Sequence, residues 1–159
     1  MAEKLPPSAQ KIQEALAALG LSCQVVELPA STRTAQEAAQ AIGCTVAQIV
    51  KSLVFRGSRT GKPILVLASG VNRVDEKRLG ELAGEPVGKA DADFVRKQTG
   101  FAIGGVPPVG HAAPIVTYVD ADLLQFEEVW AAAGTPRAVF RLKPQDLPKM
   151  SQGTLTPIG

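Results

Sequence analysis

One segment of this 159-residue chain excludes regular secondary structure more firmly than any other. Residues 100–111 read GFAIGGVPPVGH and hold four glycines, two adjacent prolines and the only histidine. Glycine lacks the Cβ that keeps ligands away from a backbone, whereas proline fixes φ and restricts the residue before it. Because such a loop has few side chains and a stiff backbone, its amides can face an oxygen-rich ligand or a developing oxyanion. The alternative interpretation is a tight connection between two elements.

Composition and charge are those of an ordinary globular protein. Apolar residues make up 45% of the chain and charged residues 20%, and the length fits a single domain over residues 1–159. The formal charge of +2 is too small to indicate a nucleic-acid binder by itself. No apolar run approaches the roughly 20 residues that cross a bilayer, and the N-terminus lacks an apolar signal core. We therefore expect a cytoplasmic protein with no membrane partner.

Cysteine usage gives little indication of metal or redox chemistry. Cys23 and Cys44 are the only cysteines, and they belong to no CxxC motif. Two scattered thiols are typical of small core residues, and together with one histidine they make a poor ligand set for zinc. We expect no metal and no cofactor.

Periodicity and turn signals predict helices interleaved with strands and hairpins. Thr34 to Glu37 forms a capping box that starts a helix ending at Gly43. Strands are predicted at 50–56 and 63–68, and a late hairpin at 128–132 and 137–142. The other predicted elements are helices capped by Ser8, by Asp75 and by Asp91 or Asp93, strands at 23–28 and 115–119, helical pieces at 122–126 and 145–150, and a loose tail. This order favours an α+β fold with a curved, mostly antiparallel sheet and helices around it. A doubly wound parallel sheet fits less well, because several links are too short for crossovers.

The first central strand carries a lysine among apolar residues. Side chains alternate along a strand, so Lys51 shares a face with Leu53 and Phe55. Those two residues make this the expected core face, and the ammonium is predicted to point inward, where it needs a partner. Two interpretations remain open. The side chain snorkels outward at the strand end, or its ammonium lies at the mouth of a cavity and binds a phosphate, carbonyl or ribose oxygen of a ligand.

The sequence contains no evident nucleophile–base pair. His111 could act as a general base, but no acidic residue of the same loop is placed to orient it. There is no G-x-S-x-G elbow, and no Walker pattern follows the glycine loop. Covalent catalysis is therefore poorly supported. The dispersed lysines and arginines are expected mostly on the surface, where some could form a rim for a phosphate backbone.

Three motifs together closely resemble the YbaK/EbsC family, an aminoacyl-tRNA-editing domain also found inserted in bacterial prolyl-tRNA synthetases. They are QIVKSLVF at 48–55, TGFAIGGVPPVGH at 99–111 and AGTPRAVF at 133–140. They occur in the family's order and spacing, and the likeness extends over a core of about 8–150. The resemblance implies a mixed, β-barrel-like domain with helices outside and a pocket for the 3′ end of a mischarged tRNA.

The resemblance also implies roles for particular residues. The family's functional lysine falls on Lys51, its Gly-x-x-x-Pro loop on 104–108, and its third pocket segment around Gly134 and Thr135. We therefore expect catalysis to depend on Lys51, which would hold the nucleotide or the ester carbonyl, and on the amides of Gly104 and Gly105, which would stabilise an oxyanion while solvent attacks. The substrate-binding residues expected around them are Ser52, Ile103, Val106, Pro107, Pro108, His111, Gly134 and Thr135.

The implied reaction is hydrolysis of the ester between a wrong amino acid and the terminal adenosine, with tRNA(Pro) as the first candidate. Cysteine-removing members carry a serine and an aspartate where this chain has Ala132 and Val139, so Cys, Ala, Ser and Thr all remain open. An alternative is a non-catalytic module that binds a nucleotide or an aminoacyl-adenylate-like ligand. We expect a monomer whose partner is tRNA. A synthetase is a further candidate partner because the net charge is small, and no helix-turn-helix pattern indicates DNA.

Overall fold

Helices and strands alternate along the chain in the structure, a computed structural model that describes residues 5–29, 34–111 and 115–159. The elements are α1 (Pro7–Ala18), β1 (Val25–Glu27), α2 (Ala35–Ile42), β2 (Ile49–Gly57), β3 (Pro63–Ser69), α3 (Glu76–Ala83), β4 (Val87–Lys89), α4 (Ala92–Thr99), β5 (Val116–Asp120), β6 (Val129–Ala132), β7 (Ala138–Leu142), α5 (Asp146–Ser151) and β8 (Thr154–Thr156). Two short 3-10 turns, Val46–Gln48 and Ala121–Gln125, precede β2 and follow β5.

The strands form one mixed sheet in the order β1-β7-β6-β2-β3-β5-β8, with β4 beside the far end of β2. The pairs β1–β7, β2–β3, β2–β4 and β6–β7 are antiparallel, whereas β2–β6, β3–β5 and β5–β8 are parallel. The predicted α+β class and the antiparallel majority are confirmed. β2 and β3 pair over seven residues and lie in the middle of the strand order.

Most predicted helix caps are confirmed, and one is wrong. The side chains of Thr34, Asp75 and Asp91 each accept hydrogen bonds from amides of the first turn that follows. Ser8 does not cap α1, which starts at Pro7 with Pro6 at the N-cap position, two residues before the predicted cap. Proline is well suited to a helix start, because its missing N–H would have no intrahelical partner there.

Two strands were not predicted, and the tail is not loose. The β4 strand pairs with Phe55 to Gly57, and β8 pairs in parallel with β5. Ile158, beyond β8, is buried in a hydrophobic cluster. The tail is therefore an integral part of the sheet.

Hydrophobic clusters cover both faces of β2, and the larger one is not on the expected face. Val50 and Val54 belong to the larger cluster, which also contains buried residues of α1 and α5. Phe55 and, at its margin, Leu53 belong to a smaller cluster with Leu79 of α3. Because both faces of a covered strand are apolar, alternation alone misidentified the main core face.

The two cysteines are free and half-buried. Burial raises the pKa of both thiols, Cys23 and Cys44, which disfavours the reactive thiolate. In the described ranges, no helix combines the length and the apolarity of a membrane span.

Candidate functional site

One stretch of the edge of the central strand β2 pairs with no other strand of the described residues. β6 pairs with it only at Ile49 and Val50, and β4 only from Phe55 onward. The Ile49 carbonyl accepts from the Gly70 amide on the β3 side. Backbone groups alternate along an antiparallel strand, so the amide and carbonyl of Ser52 point to the opposite edge. Neither β6 nor β4 reaches them there, which leaves an opening in the sheet.

Two cavities meet at this opening. The small cavity is about 140 Å³ and the large cavity about 770 Å³. Five residues line both and form what we call the junction: Lys51, Ser52, Leu53, Ile103 and Val106.

The two cavities differ in chemistry. Beyond the junction, the walls of the small cavity carry no charged side chain and consist of Ala38, Ile49, Val50, Gly104, Trp130, Ala131, Ala132 and Val139. The large cavity adds the polar and charged side chains of Asn72, Arg73, Glu76 and Lys89. The junction therefore separates an apolar compartment from a polar one.

The Lys51 side chain is held at the junction. It is half-buried, and its Nζ donates to the backbone carbonyl of Asn72 at 2.7 Å. Burial and, to a lesser degree, Arg73 lower the pKa of Lys51, while Asp120 opposes them. An ammonium has three donors, and the described residues engage one of them. The remaining donors can bind a carbonyl, hydroxyl or phosphate oxygen.

The glycine loop offers one of the two expected amide donors. The Gly105 amide donates to the Ala102 carbonyl at 2.9 Å, so in this conformation it is not free to donate to an oxyanion. Gly104, at φ 88°, lines the small cavity, and its amide makes no hydrogen bond with the described residues. The Gly104 amide is therefore the better candidate donor.

Ser52 presents a second unused polar group. Its Oγ is buried and has no hydrogen-bond partner among the described residues. Because it is enclosed, a ligand could reach it only after a rotation of the side chain.

The other expected binding residues support the loop rather than line the two cavities. The Gly134 amide donates to the Gly105 carbonyl at 2.9 Å, and Thr135 Oγ1 accepts from two amides of its own turn. Pro107 and Pro108 are buried. These contacts fix the loop against the β6–β7 hairpin.

His111 also lies outside the two cavities. Its Nε2 is 2.5 Å from the Pro107 carbonyl, and its ring meets the Phe101 ring edge-on at a centroid distance of 6.3 Å. Burial lowers the pKa of His111, so the neutral imidazole is favoured. It lines a separate cavity with residues such as Val109 and Met150, which gives no support to a role at Lys51.

Two polar residues near Lys51 were missed by sequence reasoning. Asp120 is 1% exposed and accepts from the side chain of Asn72, whose carbonyl holds Lys51. The only local signal was an aspartate at the end of an apolar strand. Within the described ranges, no group of three His, Cys, Asp or Glu side chains is arranged to hold a metal.

Known proteins resemble this chain over most of its length. A family model described as an aminoacyl-tRNA editing domain matches residues 29–150. YwhH of Bacillus subtilis (strain 168) is 35% identical over 127 residues, which are 80% of either chain. An Enterococcus faecalis protein named "Putative Cys-tRNA(Pro)/Cys-tRNA(Cys) deacylase EbsC" is 25% identical over 79% of this chain and 76% of its own. A crystal structure of "a putative trans-editing enzyme for prolyl tRNA synthetase" superposes with a TM-score of 0.90 at 52% identity, over 98% of both chains.

Proposed function

The chain belongs to the aminoacyl-tRNA editing domain family, and from this premise we propose that it hydrolyses the ester between a small, wrong amino acid and the 3′ end of tRNA(Pro). One observation carries the proposal: Lys51 lies where a small apolar cavity meets a large polar one, and Gly104 lines the small cavity. The choice of tRNA(Pro) is supported by the names of the Enterococcus relative and of the superposed crystal structure, both of which refer to tRNA(Pro) or its synthetase.

The two compartments suit the two halves of an aminoacyl ester. A cavity of about 140 Å³ with apolar walls fits a short side chain. The large cavity, with Asn72, Arg73 and Lys89, offers hydrogen-bond donors and positive charge for ribose and phosphate oxygens. With each half so placed, the ester bond lies at the junction, beside Lys51.

Hydrolysis then needs few protein groups. Water adds to the carbonyl carbon and releases a proton to solvent, the tetrahedral intermediate expels the ribose oxygen, and that oxygen takes a proton from solvent. Lys51 holds the carbonyl or a ribose oxygen, and the Gly104 amide stabilises the oxyanion, an interaction worth about 3 kcal/mol in comparable sites. An aminoacyl ester is already activated, and a ribose hydroxyl lies beside it. The reaction therefore tolerates the lack of a general base at the junction.

The small cavity favours alanine among the four open substrates. Ala132 and Val139, at the positions where cysteine-removing relatives carry polar residues, both line it. A serine or threonine hydroxyl would lose hydration there without a ready partner, since Ser52 Oγ is enclosed. We expect alanyl ester to be hydrolysed fastest, then cysteinyl, with seryl and threonyl slower.

The test is the rate of ester loss from tRNA(Pro) charged separately with alanine, cysteine, serine, threonine and proline. Wild-type protein should accelerate loss of the alanyl ester most and leave the prolyl ester intact. Lys51→Ala should reduce the rate to the uncatalysed level. The matched control is Lys62→Ala, an exposed lysine of the β2–β3 turn, which should keep the wild-type rate.

Two outcomes would contradict the proposal. Saturable tRNA binding without any acceleration would favour the non-catalytic binding module. Wild-type turnover in Lys51→Ala would exclude the proposed role of the ammonium.

A further inference from the structure

The loop that holds Lys51 is itself fixed from the opposite side of β3. Asp120 ends β5, the neighbour of β3, and its carboxylate is almost fully buried. Its Oδ2 accepts from the Ser69 amide at 3.0 Å and from Asn72 Nδ2 at 2.8 Å. The carboxylate thus connects β5 to the end of β3 and to the loop that follows it.

Asn72 continues this connection to the junction. Its side-chain amide donates to Asp120 and, at 2.8 Å, to Asp122 Oδ2. Its backbone carbonyl accepts from Lys51 Nζ at 2.7 Å. A continuous path of hydrogen bonds therefore runs from the buried carboxylate through Asn72 to the ammonium.

We propose that Asp120 is a positioning residue, whose carboxylate acts through Asn72 to fix the backbone carbonyl that holds the Lys51 ammonium at the junction. The consequence for catalysis rests on the function proposed above. The placement of Lys51 by Asp120 and Asn72 does not depend on that function.

A purely local role does not explain these contacts. Asp120 also caps the 3-10 turn that follows it, but that cap uses only Oδ1, which accepts from the Asp122 amide at 2.9 Å. The second oxygen, Oδ2, accepts from Ser69, the last residue of β3, and from Asn72 in the loop that follows β3. A buried carboxylate is costly unless it is hydrogen-bonded, and here its partners are the groups that shape the Lys51 loop.

The carboxylate also affects the charge on Lys51. Burial and Arg73 lower the pKa of the ammonium, and Asp120 raises it. The other charged side chains around this region are Glu76 and Lys89 of the large cavity and Asp122, which contacts Asn72. Without the Asp120 charge, burial and Arg73 lower the pKa of Lys51 with less opposition, so Lys51 should lose its proton at a lower pH.

The first experiment measures Lys51 without reference to catalysis. Lysine amines of the full-length protein are labelled with a trace of acetic anhydride across a pH series and quantified by mass spectrometry, with Lys62 as internal reference. In Asp120→Asn, the labelling midpoint of Lys51 should shift to lower pH, while that of Lys62 stays. Asp122→Asn removes the exposed carboxylate that accepts a hydrogen bond from Asn72, and it should shift the labelling midpoint of Lys51 much less. An unchanged Lys51 midpoint in Asp120→Asn would overturn the proposal.

The second experiment measures turnover of the alanyl ester. Asp120→Asn should lower kcat about 10- to 100-fold, the scale of a misplaced catalytic group, with little change in KM, and should move the alkaline limb of the rate profile to lower pH. Asn72→Ala interrupts the same path but leaves Asp120 in place, so it tests the proposal even if Asp120→Asn does not fold. It should lower kcat in the same way. Because both residues act along one path, the double variant should be little worse than either single one.

The two experiments separate the two claims. A shifted Lys51 midpoint in a protein that hydrolyses no ester would leave the positioning role standing and refute the proposed function. Fully additive losses in the double variant would overturn the path through Asn72.

Discussion

Lys51, the residue proposed to be central to the candidate site, lies in surroundings that disfavour its charged form. Burial and Arg73 lower the pKa of the ammonium, and only Asp120 opposes them. Among the described residues, one backbone carbonyl is the hydrogen-bond partner of this half-buried cation, an arrangement that contributes little to the stability of the fold. Residues kept in unfavourable surroundings are common at functional sites, where activity and stability conflict.

Lys51→Met should therefore inactivate the protein without destabilising it. A folded-state pKa below the ordinary value near 10.5 means that the charged form disfavours folding at neutral pH, and that this penalty disappears as pH rises from the lowered pKa toward 10.5. Methionine keeps an apolar stem and removes the charge. We expect the Tm of Lys51→Met to equal or exceed that of the wild type at pH 7, with the difference shrinking near pH 10.

Thermal unfolding followed by circular dichroism at both pH values measures this difference, with Lys62→Met as the exposed control. A fall in Tm of more than about 4 °C at pH 7, roughly 1 kcal/mol or more for a chain of this size, would contradict the prediction. It would mean that the hydrogen bond to Asn72 outweighs the cost of burying the charge.

At the scale of elements, the glycine loop and the β6–β7 hairpin act as one unit. The Gly134 amide donates to the Gly105 carbonyl, and the two backbones lie in direct contact. A Cβ built on Gly105 would lie 2.9 Å from the Cα and carbonyl carbon of Thr135. This close approach explains why glycine is needed at a position that does not line the cavity.

Gly105→Ala should damage both stability and activity. The neighbouring atoms are backbone, so they cannot rotate away, and the loop carrying Gly104 must move instead. We expect the free energy of unfolding to fall by about 1–3 kcal/mol, as in other overpacked sites, and the deacylation rate to fall at least 10-fold. Urea unfolding and alanyl-ester hydrolysis measure the two effects.

The matched control is Gly88→Ala in β4, where a Cβ would meet no atom within 4 Å. Its stability should remain within about 0.5 kcal/mol of wild type. Equal behaviour of the two variants would show that the contact between Gly105 and Thr135 is not needed.

The elements that sequence could predict are those with a strong local pattern. The β2–β3 hairpin consists of two long, mostly apolar runs joined by a polar turn. Thr34, Asp75 and Asp91 carry cap signals that need only neighbouring residues. β4 and β8 have three residues each and become strands only because β2 and β5 provide partners.

The residues of the candidate site also differ in whether the sequence alone could identify them. Lys51 and Gly104 could be identified, because each belongs to a contiguous motif. Asn72 and Asp120 are 48 positions apart, and nothing local connects them before the sheet forms. The use of the Gly105 amide by Ala102 is likewise a property of the folded loop, invisible in the spacing of glycines.

At the scale of the whole molecule, the C-terminal tail completes the face of the sheet on which Lys51 lies. Ile158 is 4% exposed in the cluster that contains Phe55 and Leu79. Its carbonyl accepts from the amide of Asp75 at 2.8 Å, the residue that caps α3. The tail therefore anchors the start of α3, near the loop that carries Asn72, although it lies beyond the range matched by the family model.

Ile158→Ala should for this reason lower the free energy of unfolding by about 2–5 kcal/mol, the range for truncating a buried isoleucine. Leu155→Ala, on the neighbouring strand β8 but 41% exposed, is the control and should cost far less. Equilibrium urea unfolding measures both. Similar losses for the two variants would contradict a core role for Ile158. Deletion of 154–159 should lower the free energy of unfolding more than Ile158→Ala does. It also removes the β5–β8 pairing and leaves the Asp75 amide without its acceptor. A deletion variant as stable as Ile158→Ala would show that the side chain alone anchors the tail.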